Sequence, residues 1–593
     1  MTDPISGSEI VPTLQIKHYR KLLGKYLGDQ LSAVFWMTGL LLMAIVVQLA
    51  NPQVIRYFLD TAQSGGPTRT LLLAASLFLA FALVQQVLTL AATYASQRVS
   101  WTATNQMRLD LAQHCLRLDM SFHKQHTPGE LIERIDGDIS QLSNFFSQFV
   151  IKVAGNALLV LGILALLFRE NLYLGSSMVA YTAVTLVALG FIQRLAAPRW
   201  RAARQISAAQ FGYLEERISG VEDIRAVGGE AYVLQRLYDL MRQYLERLRL
   251  AFVVGSLTYH MTDLVYILGY TIGLAMGVIL YLRGDVTIGT AYLIVFYVGM
   301  LETPLQAIRE QAEDLQQATA SLQRIQSLFD QQPLVHDPPL PRLLATGALS
   351  LSFKGVSFHY ENDDKVLEDI SFDLPKGRLL GVLGRTGSGK STLARLLFRL
   401  YDPSEGAILL DGNDLRAISI KNLRQRVGMV TQDVQLFRAS VRDNLTFFNP
   451  AISDEQLERV LSSLRLWSWV QSLPDGLDTR LAAGGGGLSA GEAQLLAFAR
   501  VFLKEPGLII LDEASSRLDP PTETLMEQAI DRLFQGRTGV IIAHRLRTVQ
   551  RADDILILED GRLVEFGDRE RLAADRQSRF YRLLQTGLEE ALA

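Results

Sequence analysis

Residues Gly384–Ser391 read GRTGSGKS, a G-x-x-x-x-G-K-S pattern. Glycines at Gly384, Gly387 and Gly389 free the backbone around Arg385, Thr386 and Ser388, so that its N–H groups converge on phosphate oxygens. Lys390 reaches the β- and γ-phosphates, Ser391 offers a hydroxyl to Mg²⁺, and Thr392 continues into a helix whose N-terminal dipole adds to the field. The context fits: an apolar strand pattern, Leu379–Leu383, precedes the loop and an apolar helix pattern, Leu393–Leu400, follows it. Two more strand patterns end in reactive side chains. Leu508–Leu511 runs into Asp512 and Glu513, a carboxylate placed to hold Mg²⁺ and a second placed to polarise attacking water. Val540–Ala543 runs into His544, placed to touch a γ-phosphate. Each has a plainer reading: a glycine-rich turn, an acidic strand end, a structural histidine. Together they point to hydrolysis of a nucleoside triphosphate.

The elements that must position these residues occupy only the second half of the chain. The 593 residues exceed a single core, so several domains are expected. Composition is 49% hydrophobic with mean hydropathy +0.17. The apolar residues concentrate in runs near Leu31–Ala50, Leu71–Tyr94, Phe149–Phe168, Leu172–Gln193, Val254–Leu282 and Ile288–Ile308. Each reaches the roughly 20 residues that a helix needs to cross about 30 Å of hydrocarbon, so six spans are predicted. Net charge of −3 gives no support for nucleic acid as a partner. The single cysteine, Cys115, excludes an internal disulfide and a cysteine zinc site. No signal peptide is visible.

The connections Thr61–Thr70, Arg169–Asn171 and Arg283–Thr287 are short, whereas Gln97–Gln148 and Arg194–Arg249 are long, charged and helix-patterned. The long ones share a side with both termini, and their Lys and Arg content suits the cytosol. Thr13–Asp29 is basic and amphipathic, as expected of a helix lying in the interface. Asp330–Gly347 is proline-rich and reads as a linker. The predicted fold is a membrane α-helical bundle of six transmembrane helices followed by an α/β P-loop nucleotide-binding domain: residues 1–329, linker 330–347, and 348–593.

With these motifs in order, the chain resembles an ATP-binding cassette exporter half-transporter over nearly its whole length. The resemblance implies ATP and Mg²⁺ as cofactors. Tyr360 in VSFHY resembles the aromatic that stacks on adenine, and Gln432 in VTQD the glutamine that senses Mg²⁺ and contacts the membrane domain. Leu488–Gln494 resembles the signature loop, with Ser489 and Gly491 as nucleotide contacts. Asp512 resembles the Mg²⁺ aspartate, Glu513 the catalytic glutamate, Ser516–Asp519 the loop after them and His544 the switch histidine. Met120–Glu130 and Gly220–Glu230 resemble the cytosolic segments that couple cassette and spans.

The signature departs from the family's LSGGQ. Ala490 replaces a glycine and Glu492 the glutamine, Ala483 stands where a glutamate is common, and Arg517 where an alanine is common. In the family, two cassettes meet head to tail around ATP. A carboxylate near the triphosphate weakens closure by like-charge repulsion unless it points away. The chain's own hydrolytic residues are complete while the signature that it lends is altered, so a heterodimer with a second half-transporter is favoured and a homodimer is the alternative. Polar residues within spans (Gln85, Gln86, Lys152, Asn156, His260, Asp263, Glu302) and the tyrosines Tyr266, Tyr270, Tyr292 and Tyr297 either line a cavity or pack between helices. The expected activity is ATP-driven export of an amphipathic or hydrophobic small molecule, drug-like or lipid, by alternating access, from a bacterial inner membrane with the N-terminus and cassette in the cytosol. Alternatives are a peptide exporter, a lipid flippase subunit, or an ATP-binding regulatory subunit.

Overall fold

The computed structural model describes residues 24–26, 28–360, 365–431, 434–482, 488–512, 520–542 and 549–586. The chain divides into two compact units, one of residues up to Leu116 plus Gly129–Asp330, the other of Arg117–Pro128 plus the residues from Gln331 onward.

Among the described residues, six helices are long and apolar enough to cross a membrane: Leu31–Gln63, Thr68–Arg117, Pro128–Glu170, Leu172–Ser219, Glu230–Leu282 and Ile288–Ile308. Each carries one of the predicted apolar runs. Four of them are between 43 and 53 residues long. At about 1.5 Å per residue these helices are roughly twice as long as the hydrocarbon is thick, so the charged connections are largely continuations of the spans beyond the bilayer. Pro128–Glu170 keeps its helical course through two wider-wound stretches, Glu133–Asp138 and Phe149–Gly155. The second span leaves Leu72, Leu79, Leu83, Val87 and Leu90 exposed, which suits contact with lipid.

Lipid gives no hydrophobic drive for helices to associate, so close packing needs small residues. Gly269, Gly273 and Gly277 recur every fourth residue along the fifth span, and all three are buried. A Cβ at Gly269 would stand 2.2 Å from Cζ of Tyr181 in the fourth span, and one at Gly273 would stand 2.8 Å from Val298 in the sixth. The tyrosines divide. Tyr297 is fully buried, donates to the Leu49 carbonyl at 2.8 Å and accepts from Gln53 at 3.1 Å, and Tyr266 is also buried. Tyr270 and Tyr292 are exposed. Charges at the span ends find partners: Arg56 pairs with Glu170 at 2.8 Å, and Asp60 accepts from the Gly289 N–H at 2.9 Å. Asp138, almost wholly buried, is gripped by two nitrogens of Arg324.

The described residues of the second unit hold two sheets. The antiparallel one has the order β2-β1-β4-β5, with β1 Leu351–His359, β2 Lys365–Leu374, β4 Glu405–Leu410 and β5 Asn413–Asp414. The other has the order β10-β9-β3-β8-β7-β6. Its strands are β3 Leu379–Leu383, β6 Val427–Val430, β7 Leu508–Asp512, β8 Thr538–Ile542, β9 Asp554–Glu559 and β10 Arg562–Asp568. β6, β7, β8, β3 and β9 pair in parallel, and β10 closes the edge antiparallel. The central strands are near-continuous apolar runs buried on both faces, as a covered parallel sheet demands.

Candidate functional site

In an open parallel sheet, ligands gather beyond the carboxyl ends of the strands. Three strand ends lie side by side there. Val382 of β3 pairs with Ile542 of β8, and Ile542 pairs with Asp512 of β7. Leu383, Asp512 and Ile542 are therefore neighbours on one edge.

Beyond Leu383 the chain turns through Gly384, Gly387 and Gly389 at φ +151°, +86° and +100°. A Cβ at Gly384 would fall 2.3 Å from the Leu558 carbonyl oxygen, and one at Gly389 would fall 2.6 Å from Leu367. The helix Lys390–Leu397 then starts from Gly389 without a side-chain cap, which leaves its N–H groups and dipole to an anion. Two further features fit a polyphosphate. Ser388 Oγ is buried with no hydrogen-bond partner among the described residues. Lys390, only 6% exposed, donates to the Gly384 and Arg385 carbonyls at 2.7 and 2.9 Å, so its ammonium stands across the loop. Arg385, Thr386 and Gly387 are exposed, Ser391 is half-buried and Thr392 is buried.

Tyr360 follows β1. Its hydroxyl lies 3.2 Å from Thr392 Oγ1, and it accepts from Arg395 at 3.2 Å, both residues on the helix behind the phosphate loop. Phe358 and Tyr401 stand nearly perpendicular to it, with centroids at 4.9 and 5.3 Å. Tyr360 and the helix that follows the glycine loop are thus braced together. Lys124, which the sequence reading did not single out, stands 4.5 Å over the Tyr360 ring. No local pattern announces that contact.

Asp512 ends β7 half-buried. With Ser391 it supplies oxygen donors of the kind that a hard cation such as Mg²⁺ prefers. Gln432, Glu513, Ser516–Asp519 with Arg517, His544 and Ala483 lie outside the described residues, as does most of Thr13–Asp29.

The signature segment is built differently. Ser489 caps the helix Ala490–Phe502 by accepting from the Glu492 N–H at 3.2 Å. Glu492 reaches back and accepts from the Ser489 N–H at 2.7 Å. This is a reciprocal capping box, for which Glu and Gln are equally suited at the third helical position. The carboxylate therefore points at its own helix end, the exception that the repulsion argument allowed for. Gly491 is buried and Ser489 exposed. Farther along the helix, Arg500 donates to the Asn444 and Gln435 carbonyls at 2.7 and 3.0 Å and lies over Phe447. Burial lowers its pKa to about 10, which leaves it charged at neutral pH. It borders a hollow of about 240 Å³ that Phe437, Phe447 and Gln435 also line.

Known proteins place this arrangement. The ABC transporter transmembrane region matches residues 34–305, and the ABC transporter family matches residues 367–516. The ATP-dependent lipid A-core flippase of Pseudomonas fluorescens is 31% identical over 100% of this chain and 99% of its own length. A fatty acid ABC transporter ATP-binding/permease protein of Mycobacterium bovis is 31% identical over 86% of this chain and 80% of that protein. A putative multidrug export ATP-binding/permease protein of Bacillus subtilis is 28% identical over 89% of this chain and 92% of that protein. A solved bacterial Atm1-family ABC exporter with ATP bound shares the fold with a TM-score of 0.80 at 24% identity, over 94% of this chain and 98% of that one. A phosphate loop on a parallel sheet, six spans on the same chain and relatives that match it end to end lead to one conclusion: the chain belongs to the ABC transporter family, as an exporter half-transporter whose ATPase is coupled to transport.

Proposed function

We propose that this chain is one half of an exporter that uses ATP to move an amphipathic or hydrophobic small molecule, drug-like or lipid, across a bacterial inner membrane. The observation that carries this reading is the fusion on one chain of six spans with a phosphate loop whose glycines, Lys390 and Ser388 fit a triphosphate. The relatives are named for lipid A-core, fatty acids and multidrug export, which supports the same substrate class here. The N-terminus and the cassette are read as cytosolic.

In this reading Tyr360 stacks on adenine. The loop from Gly384 to Thr392 cradles the phosphates, and Ser391, Gln432 and Asp512 hold Mg²⁺, which neutralises phosphate charge. Glu513 polarises the attacking water and His544 contacts the γ-phosphate. ATP drives the cycle only through its preference for the closed pair of cassettes.

For the partner we propose a second, different half-transporter, whose intact signature would complete this chain's hydrolytic site while Ser489 and Gly491 serve a slower one. One observation favours a homodimer as the second reading: Glu492 does locally what a glutamine would do in a capping box. A peptide exporter, a lipid flippase subunit and an ATP-binding regulatory subunit are the further alternatives.

Two measurements test this. In proteoliposomes, ATPase activity should rise severalfold with an amphiphile and fall to background in Lys390→Ala. A flat response across lipids and drugs would remove the substrate class. Mass spectrometry of the intact complex from its native membrane should show two different chains, and a doubled mass of this chain alone would select the homodimer.

A further inference from the structure

Lys124 belongs to a six-residue helix, Met120–Gln125, encoded between the second and third spans. The segment Arg117–Pro128 nevertheless packs as part of the ATP-binding unit. Its position is secured on either side of the lysine. Asp119 caps the helix by accepting from the Phe122 N–H at 3.4 Å, and its other oxygen accepts from the Leu334 N–H at 2.6 Å. On the far side, the rings of Phe122 and His126 stack at 4.3 Å, and a His126 ring nitrogen bonds the Phe122 carbonyl at 3.1 Å. Between these anchors the exposed Lys124 lays its ammonium 4.5 Å over the centroid of Tyr360.

An ammonium over a ring is attracted by the negative face of the π-system. A nucleobase stacking on that ring needs the same kind of surface. The hydroxyl bonds to Thr392 and Arg395 and the flanking rings of Phe358 and Tyr401 tie Tyr360 down, so the ring holds its orientation.

We propose that Lys124 is a positioning residue for nucleotide binding: it holds the stacking face of Tyr360 until adenine displaces it. This rests on the reading of Tyr360 as the adenine platform. An exposed cation–π contact is worth about a two- to fivefold factor in an equilibrium, and base stacking on an aromatic ring about five- to a hundredfold. Adenine therefore wins the exchange, and the lysine tunes affinity instead of blocking the site.

The test uses the full-length transporter in lipid nanodiscs, with a fluorescent ATP analogue labelled on the ribose, steady-state ATPase rates, and inorganic tripolyphosphate as a competitor without a base. Lys124→Met should lower the analogue's Kd and the KM for ATP about threefold, with kcat within about twofold of the parent. Tripolyphosphate inhibition should not change. Lys124→Arg, which keeps a cation on the ring, should return the parent values. In a Tyr360→Leu background, Lys124→Met should have no effect. If Lys124→Met leaves nucleotide binding unchanged or weakens it, or if its effect survives in Tyr360→Leu, the proposal is overturned. If Tyr360→Leu alone leaves ATP binding unchanged, the adenine platform itself is wrong and the proposal falls with it. Weaker ATP binding in Tyr360→Leu without tightening in Lys124→Met removes only the role of Lys124.

Discussion

Two helices in the ATP-binding unit begin with opposite solutions to one problem. Any α-helix starts with four N–H groups that lack intrahelical partners and with a positive dipole end. The helix Lys390–Leu397 starts from a left-handed glycine, has no side-chain cap, and has beside it the buried Ser388 hydroxyl, which lacks a hydrogen-bond partner among the described residues. The helix Ala490–Phe502 starts from Ser489 and closes on itself through Glu492, with a full carboxylate charge set against its own N-terminus. The first end is built to take an anion from outside. The second has already taken one from its own side chain. A glycine-rich approach is common to both in the sequence, so composition alone does not separate an anion-binding helix end from a capped one.

The contrast can be attacked at either helix, and the largest effect is expected at the first. Lys390→Ala removes the ammonium that stands across the loop, and ATP hydrolysis should fall by about a hundredfold or more while the thermal unfolding midpoint holds. Residual activity within tenfold of the parent would mean that the loop's N–H groups suffice. Gly389→Ala should lose ATP affinity and also about 1–3 kcal/mol of domain stability. Its φ of +100° is hostile to a side chain, and the new Cβ would meet Leu367 at 2.6 Å. Unchanged denaturant unfolding would show that the loop can relax.

At the second helix the effects are smaller and local. Ser489→Ala breaks the capping box and should cost about 1 kcal/mol in urea unfolding of the ATP-binding unit. Glu492→Gln keeps the box and discharges it. Stability should stay within about 0.5 kcal/mol and the ATPase rate of the assembled transporter within about twofold, because the carboxylate points at its own helix end. A rate that rises severalfold and loses that gain towards 1 M salt, where the Debye length is only about 3 Å, would mean that the charge still opposes the triphosphate and would favour the heterodimer.

Much of the site was legible from local pattern. GRTGSGKS after an apolar strand admits few conformations, because Gly384 and Gly389 each sit where a Cβ would strike backbone or side chain. The spans were equally plain, since an apolar run of bilayer length has few other places to go. The glycine stripe at Gly269, Gly273 and Gly277 was available in the sequence as a small-residue period of four, yet only the partners Tyr181 and Val298 show what it is for. The capping box was also written locally, as Ser489 and Glu492 three residues apart. The same glutamate also fits a position facing a phosphate, so the spacing alone does not decide between the two.

What the sequence determined by itself is whatever depends on neighbours a few residues away: six membrane-length helices, the glycine-rich loop after β3 and the apolar strands. These follow from hydration, backbone sterics and hydrogen-bond satisfaction over one or two turns. The strand order that sets β3 beside β8 and β8 beside β7 required the folded sheet, as did Tyr360 braced against Thr392 and Lys124 laid over its ring. Those pairings join residues far apart along the chain. Their free energy comes from surface buried jointly by distant elements, for which no local spacing carries a signature.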